Sequence, residues 1–384
     1  MATAIAADPT NQPSGGHPRE QGSALCLSGG GYRAMLFHAG SLWRLHEAGR
    51  LQRLRRISSV SGGSITAGVL GHAWAQIDFD PANAGSFQQR VVDPVRRLAG
   101  RTIDVRSVLG GLFGTGSAGD RVARAYAEHL FGAATLQDLP DEPRFVINAT
   151  NIQSGALWRF SKPYMADYRV GRVLAPRVPL ARAVAASSAF PPVLSPVELD
   201  LAGMRFEPDP QADLQRSPFT DKAILSDGGV YDNMGLETVW KNYSEVLISD
   251  GGAKIMAEDA PKHDWPRHAY RVLDVIDNQV RSLRKRAAVA GFGAAHGDPA
   301  KRTGTYWSIG TPYSRYGARS PSLACPEAST ERLARVPTRL QALPAATQEK
   351  LINWGYAVTD AALRTGVDPQ LAQPRGFPFP ASGV

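Results

Sequence analysis

The chemistry-bearing residues fall at a few apolar-run ends. The run Arg56 to Val60 delivers Ser61 into Ser59-Val60-Ser61-Gly62-Gly63-Ser64. This pattern is close to the G-x-S-x-G nucleophile elbow, in which a sharp strand-to-helix turn exposes a serine Oγ. Ser59 stands where the first glycine is usual. The same serines are capable helix caps, so a capped helix start is the plain alternative. About thirty residues earlier, Ala24–Leu27 runs into Ser28-Gly29-Gly30-Gly31-Tyr32-Arg33. Successive glycines let backbone N–H groups converge, and a following helix adds its positive end. Such a loop holds an anion, with Arg33 adding charge or bracing the turn. Gly29-x-Gly31-x-x-Ala34 loosely fits a dinucleotide fingerprint, but the second strand lacks the acidic residue that reading needs.

A serine hydroxyl needs a base. His263, His268 and His296 come late enough in the chain, yet none follows a clear strand. Asp227 does, in Ala223-Ile224-Leu225-Ser226-Asp227-Gly228-Gly229. Glycines there admit close approach of another segment, so a carboxylate reaching Ser61 Oγ is able to take its proton directly. A plain Asp-Gly turn is the alternative. Asp250, in Leu247-Ile248-Ser249-Asp250-Gly251-Gly252, is the rival base. A last stretch, Ala185-Ala186-Ser187-Ser188-Ala189-Phe190-Pro191-Pro192, reads as a tightly packed helix halted by prolines.

The elements that must position these residues are short buried strands: Ala24–Leu27, Arg56–Val60, Phe145–Ala149, Ala223–Leu225, Val246–Ile248 and Tyr306–Ile309. Met35, Leu36, Ala39, Leu42 and Trp43 mark an amphipathic helix stopped near Gly49, and Asp120–Leu130 a second. Alternating strands and helices predict an α/β fold of three layers, with a mostly parallel central sheet covered by helices. In such sheets sites collect at the carboxyl ends of strands.

The chain has 384 residues, 43% hydrophobic and 20% charged, an ordinary globular mixture that excludes wholesale disorder. Residues 1–21 read as a disordered tail, 22–373 as one large domain, and 374–384 as a proline-rich tail lying along the surface. Two cysteines, Cys26 and Cys325, make neither a disulfide framework nor a cysteine zinc site. Net charge is +8, and 35 of the 43 basic residues are arginine. That suits an anionic surface. No zinc-finger pattern or long basic run points to nucleic acid as the partner. No apolar run approaches the roughly 18 residues of a membrane span, and no secretory leader pattern is seen. The expectation is a cytoplasmic chain, with peripheral contact to a membrane left open. Oligomeric state is not legible.

Together, Gly29-Gly30-Gly31-Tyr32-Arg33, Ser59-Val60-Ser61-Gly62-Gly63, Ala186-Ser187-Ser188-Ala189-Phe190-Pro191 and Asp227-Gly228-Gly229 resemble the patatin-like phospholipases. The likeness runs over roughly residues 22–310. It implies a patatin-like fold and a Ser61–Asp227 dyad without catalytic histidine, metal or cofactor. It also implies an oxyanion hole from Gly29, Gly30 and Gly31, with Gly62 and Arg33 in support. Val-Tyr-Asp-Asn after the first glycine pair favours Asp227 over Asp250. The implied substrate is a phospholipid or lysophospholipid. A soluble-ester hydrolase or thioesterase, or a silent interaction protein awaiting an activator, are the alternatives. Arg96, Arg97, Arg101 and Arg106, interleaved with Leu98, Ile103, Val105, Val108, Leu109, Leu112 and Phe113, are a candidate membrane-facing flap. The cluster Arg281 to Arg286 reads as a solvated helix face.

Overall fold

The computed structural model describes residues 20–103, 117–253, 255–317 and 323–384. Five parallel strands form the middle of the sheet. They are β1 (Glu20–Leu27), β2 (Leu54–Val60), β3 (Arg144–Asn151), β10 (Tyr243–Asp250) and β11 (Thr303–Ser308), in the order β11-β10-β1-β2-β3. Their apolar runs are continuous because helices cover both faces. Beyond β3 the sheet turns antiparallel through β4 (Ala156–Phe160), β5 (Tyr164–Asp167), β6 (Gly171–Leu174) and β8 (Phe206–Glu207). The result is the mixed, mostly parallel sheet flanked by helices that the sequence predicts.

Two further strands, β7 (Val197–Asp200) and β9 (Lys222–Asp227), branch off this path. Strand β2 pairs with β3 as far as Asn148, and β9 pairs with it from Ala149 to Asn151. Because β4 occupies the other edge of those residues, β9 takes over the edge that β2 vacates. The end of β9 therefore meets the end of β2. That handover brings Asp227 beside Ser61, although 166 positions separate them in the chain.

Helix α1 (Gly31–Glu47) follows β1 and is buried from Gly31 to His46. It lies between the sheet and the last helix, α9 (Ala345–Gly366), which is itself buried over most of its length. The two cross at glycines. A Cβ on Gly40 would overlap the Ile352 carbonyl, and one on Gly355 the Phe37 carbonyl, so only glycine permits this approach. Ser41 Oγ reaches the Phe37 and Gly355 carbonyls at 3.3 and 3.4 Å. Buried Arg44 on α1 closes an ion pair with Asp360 on α9 at 2.8 Å. The remaining helices used below are α2 (Gly62–Ala73), α3 (Asp93–Ala99), α4 (Ala118–Tyr126), α5 (Leu180–Ser187), α6 (Gly229–Asp232), α7 (Trp265–Gly293) and α8 (Glu327–Ala334).

Three expectations meet the structure here. Strand β1 starts at Glu20, inside the tail expected to end at residue 21. The proline-rich end is pinned: Asn353 Nδ2 donates to the Phe379 and Gly383 carbonyls at 2.8 Å each, and Phe379 meets Trp43 edge-on. The described part of the proposed flap is mixed: Arg97 and Arg101 are exposed, and the rest packs. On α3, Leu98 is buried, Ile103 packs on the core, and Arg96 pairs with Glu349 and stacks on Phe379. The rest of that stretch, from Asp104 to Phe113, lies outside the described residues.

Candidate active site

Ser61 sits between β2 and α2 with φ 50° and ψ −119°, a backbone that a residue with a side chain adopts only under strain. Three contacts hold it. A Cβ on Gly62 would overlap the Gly31 carbonyl, and one on Gly63 would lie 2.5 Å from the Leu27 carbonyl, so the elbow folds directly onto the glycine loop. The Gly63 N–H donates to the Ser28 carbonyl at 3.2 Å. The third contact comes from the block that looked merely well packed. The Ser61 N–H donates to Ser187 Oγ at 3.0 Å.

That bond begins a directed chain. Ser187 and Ser64 Oγ lie 2.9 Å apart, Ser64 donates to Ser59 at 3.0 Å, and Ser59 donates to the Val146 carbonyl at 3.3 Å. Since Ser64 gives its proton to Ser59, Ser187 must donate to Ser64. Ser59 thus fits the elbow by ending this relay on β3. Ser187→Ala would leave the Ser61 N–H without its buried acceptor, at a typical cost of about 1–3 kcal/mol. We expect a lower melting temperature and roughly tenfold slower fluorophosphonate labelling of Ser61. Labelling at the wild-type rate would show that the elbow holds without Ser187.

The same block braces Asp227: its N–H donates to the Ala189 carbonyl at 2.9 Å, and Gly228 N–H to the Ser187 carbonyl at 3.2 Å. Asp227 is 2% exposed. Its Oδ1 accepts from Gly229 N–H at 2.7 Å, while its buried Oδ2 has no hydrogen-bond partner among the described residues. Burial pushes its pKa up to about 7; the Gly229 N–H and the neighbouring Ser61 hydroxyl oppose the rise, and the charge of Asp277 adds to it. Ser61 is thus near enough to act on this carboxyl, although no hydrogen bond of normal geometry joins the two. Catalytic hydrogen bonds are often long without substrate.

Gly29, Gly30, Gly31, Arg33, Ser61 and Asp227 all line one open cavity of about 390 Å³. The Gly29 N–H is taken by the Asn233 carbonyl at 3.0 Å, which removes it as an oxyanion donor. Gly29 instead provides room, since a Cβ there would overlap Asn233 Oδ1 and stand 3.2 Å from Ser61 Cβ. The amides of Gly30, Gly31 and Gly62 have no acceptor among the described residues. They sit at the first turns of α1 and α2, where helical N–H groups are unpaired. Arg33 is buried; Nε donates to the Gly251 carbonyl at 3.1 Å and Nη1 to the Val336 carbonyl. Burial, with Arg281 nearby, lowers its pKa to about 10 against the pull of Asp250, so it stays charged at neutral pH.

Asp250 is engaged by other groups. It is buried and outside the cavity lining. Its oxygens accept from Gly252 N–H at 2.9 Å, Ser28 Oγ at 3.3 Å and Tyr306 Oη at 2.7 Å, and it pairs with Arg281 at 3.5 Å. Burial alone would raise its pKa, but Arg281, Tyr306 and the Gly252 N–H outweigh it and hold the carboxyl below its ordinary range. His38 supports the loop: Nε2 lies 2.9 Å from the Ser28 carbonyl and Nδ1 2.8 Å from Ser249 Oγ. Burial lowers its pKa to about 4, so it is neutral. His263, His268 and His296 are exposed and outside the cavity lining.

The cavity wall also contains residues that the sequence did not single out. Tyr270, Asp274 and Asp277 on α7 face it, and Phe190 meets Tyr270 edge-on across it. Arg281 and Arg284, expected to be solvated, turn inward instead, toward Asp250 and toward Asp232 and Glu237.

A family model described as patatin-like phospholipase matches residues 25–240, more than half of the chain. The chain belongs to the patatin-like phospholipase family. Among solved structures, human GIVD cytosolic phospholipase A2 is similar with TM-score 0.52 and 13% identity, over 88% of this chain and 61% of that one. The same human enzyme in complex with methyl gamma-linolenyl fluorophosphonate gives TM-score 0.50 and 14% identity, over 92% and 60%. VipD from Legionella pneumophila gives 0.37 and 16%, over 89% and 66%. The chain thus spans under two thirds of the human enzyme's length. No curated protein sequence matches it.

Proposed function

We propose that the chain is a lipid acyl hydrolase that cleaves carboxylic esters of phospholipids or lysophospholipids through Ser61 and Asp227. One observation carries this reading: a strained, cavity-facing serine stands beside a buried aspartate whose second oxygen is unpartnered. Family membership supports the substrate class.

In this reading Ser61 Oγ attacks the ester carbonyl carbon while its proton passes to Asp227 Oδ2. The carbonyl oxygen becomes an oxyanion held by the amides of Gly30, Gly31 and Gly62, and losing one such donor typically costs about 100- to 1000-fold in rate. Asp227 then protonates the departing alcohol as the carbon–oxygen bond breaks. Water attacks the acyl-serine, gives its proton to Asp227, and releases the fatty acid; the proton returns to Ser61. Arg33 anchors the loop to the Gly251 and Val336 carbonyls rather than touching the reacting atoms.

The test is labelling with a fluorophosphonate, followed by mapping of the modified residue. Label on Ser61 that falls with Asp227→Asn but not with Asp250→Asn supports the dyad. Loss with Asp250→Asn alone would move the base. A wild type that takes no label would sink the hydrolase reading. Turnover of short soluble esters without release of fatty acid from vesicles would replace the lipid substrate with a soluble one.

A further inference from the structure

Helix α7 has its polarity reversed for a helix on the surface of a globule. Tyr270, Asp274, Asp277 and Arg281, spaced i, i+4, i+7 and i+11, line the cavity. The opposite side carries Trp265, Val272, Ile276 and Leu283, spaced i, i+7, i+11 and i+18, which form a single stripe. These are exposed by 81%, 43%, 53% and 57%. Leu273 and Val275 widen the stripe. Of the twelve large hydrophobic residues exposed among those described, eight lie on α7, and Met256 at the cavity wall is a ninth. So apolar surface is concentrated on one helix beside the proposed reaction centre.

Charge follows the same division. The two acidic residues within α7, Asp274 and Asp277, both face the cavity. Arg271, Arg281 and Arg284 are drawn to carboxylates: Glu258, Asp250, and Asp232 with Glu237. The exposed basic residues left on the helix are Arg267, which pairs with Asp264 at its start, and Arg286, so the stripe itself includes no carboxylate, on a chain of net charge +8. No described helix is long and apolar enough to cross a membrane. An apolar face of this size with basic flanks fits a helix that lies in the plane of a bilayer surface.

We propose that α7 is the membrane-docking element, seating its outer face in an anionic bilayer surface so that the cavity on its inner face opens toward the lipid. This rests on the lipid hydrolase reading for its purpose, though not for its measurement. Docking would bring Met256 and Tyr270, which line the cavity and are exposed, to the lipid that an ester leaves on its way to Ser61.

The experiment is flotation of the full chain, carrying Ser61→Ala to keep the lipid intact, with vesicles of phosphatidylcholine and phosphatidylglycerol. The outer face is altered by Val272→Ser, Ile276→Ser and Leu283→Ser together. Vesicle partitioning should fall at least about tenfold. In the Ser61 parent, the same three changes should leave hydrolysis of a short soluble ester within about twofold, because they do not reach the cavity. As a gentler variant, Trp265→Ala should abolish the blue shift of tryptophan emission on adding vesicles. Equal flotation of the triple variant, or an unchanged blue shift in Trp265→Ala, would overturn the proposal. So would a wild-type dimer in solution that the triple variant splits into monomers, since the stripe would then be a subunit interface. Vesicle binding that depends on α7, in a chain whose Ser61 takes no fluorophosphonate, would uphold the docking surface and refute the hydrolase.

Discussion

Ser61→Ala is expected to lower phospholipid turnover at least about 10⁴-fold, the scale on which loss of a nucleophile acts. The fold should survive, because the bonds that hold Ser61 in place are made by its backbone: the N–H donates to Ser187 Oγ, and the carbonyl accepts from the Ser64 and Ile65 N–H groups. Alanine inherits the strained backbone at φ 50°, so its melting temperature should match the wild type. Ser61→Gly makes a useful contrast. Glycine meets no steric penalty at positive φ, so this variant should be equally inactive yet more stable, by about 1 kcal/mol. Fatty-acid release and thermal melts on the three proteins separate chemistry from strain. Residual turnover of Ser61→Ala above a few per cent of wild type would refute the nucleophile.

The second large effect concerns Asp227, and it runs in opposite directions for activity and stability. Burial raises its pKa to about 7, well above the ordinary carboxylate value of 3.8. As a base it must be ionised, so turnover should rise with pH through about 7. Stability moves the other way. The folded state binds this proton more tightly than the unfolded chain, so the stabilisation that the group contributes is full below about pH 4 and is lost as pH rises through about 7. Asparagine keeps an oxygen for the Gly229 N–H and removes the buried charge. Asp227→Asn should therefore be inactive and, at pH 8, more stable than wild type by an amount on the order of a few kcal/mol. Near pH 4 the two proteins should melt together. A variant that is less stable than wild type at pH 8 would show that the carboxylate is held by favourable contacts, and would count against an unpartnered Oδ2.

Much of the site was legible because its parts are local. Three glycines after an apolar run, a serine between small residues, and Asp-Gly-Gly each announce a strand end, and the continuous apolar strands announce a covered parallel sheet. What was hidden depends on distant contacts. Ser187 acts on Ser61 from 126 positions away, and no spacing rule reports that. Gly29 resembles its neighbours in sequence, yet its N–H is claimed by the carbonyl of Asn233. The arginines of α7 look solvated until their carboxylate partners on β10 and after β9 are in place. Helix α7 also misleads any reading of hydrophobic periodicity, because its apolar stripe faces out and its charged face in. Helix α9 is equally opaque. It is buried nearly all round, with Asn353, Thr359 and Asp360 inside, so it lacks the one-sided pattern that marks a surface helix.

The glycine crossing of α1 and α9 bears on where this chain can be cut. The family match ends at residue 240, but the helix that presents the glycine loop is closed by a segment that begins more than a hundred residues later. A fragment trimmed to the match would leave Phe37, Gly40 and Ser41 facing water and Arg44 without Asp360. It would also lose β10 and β11, baring the outer edge of β1 to any other strand it met, a recognised route to aggregation. The stretch that the family model matches is thus shorter than the unit that folds, and a piece of this chain that keeps this fold has to carry its last helix.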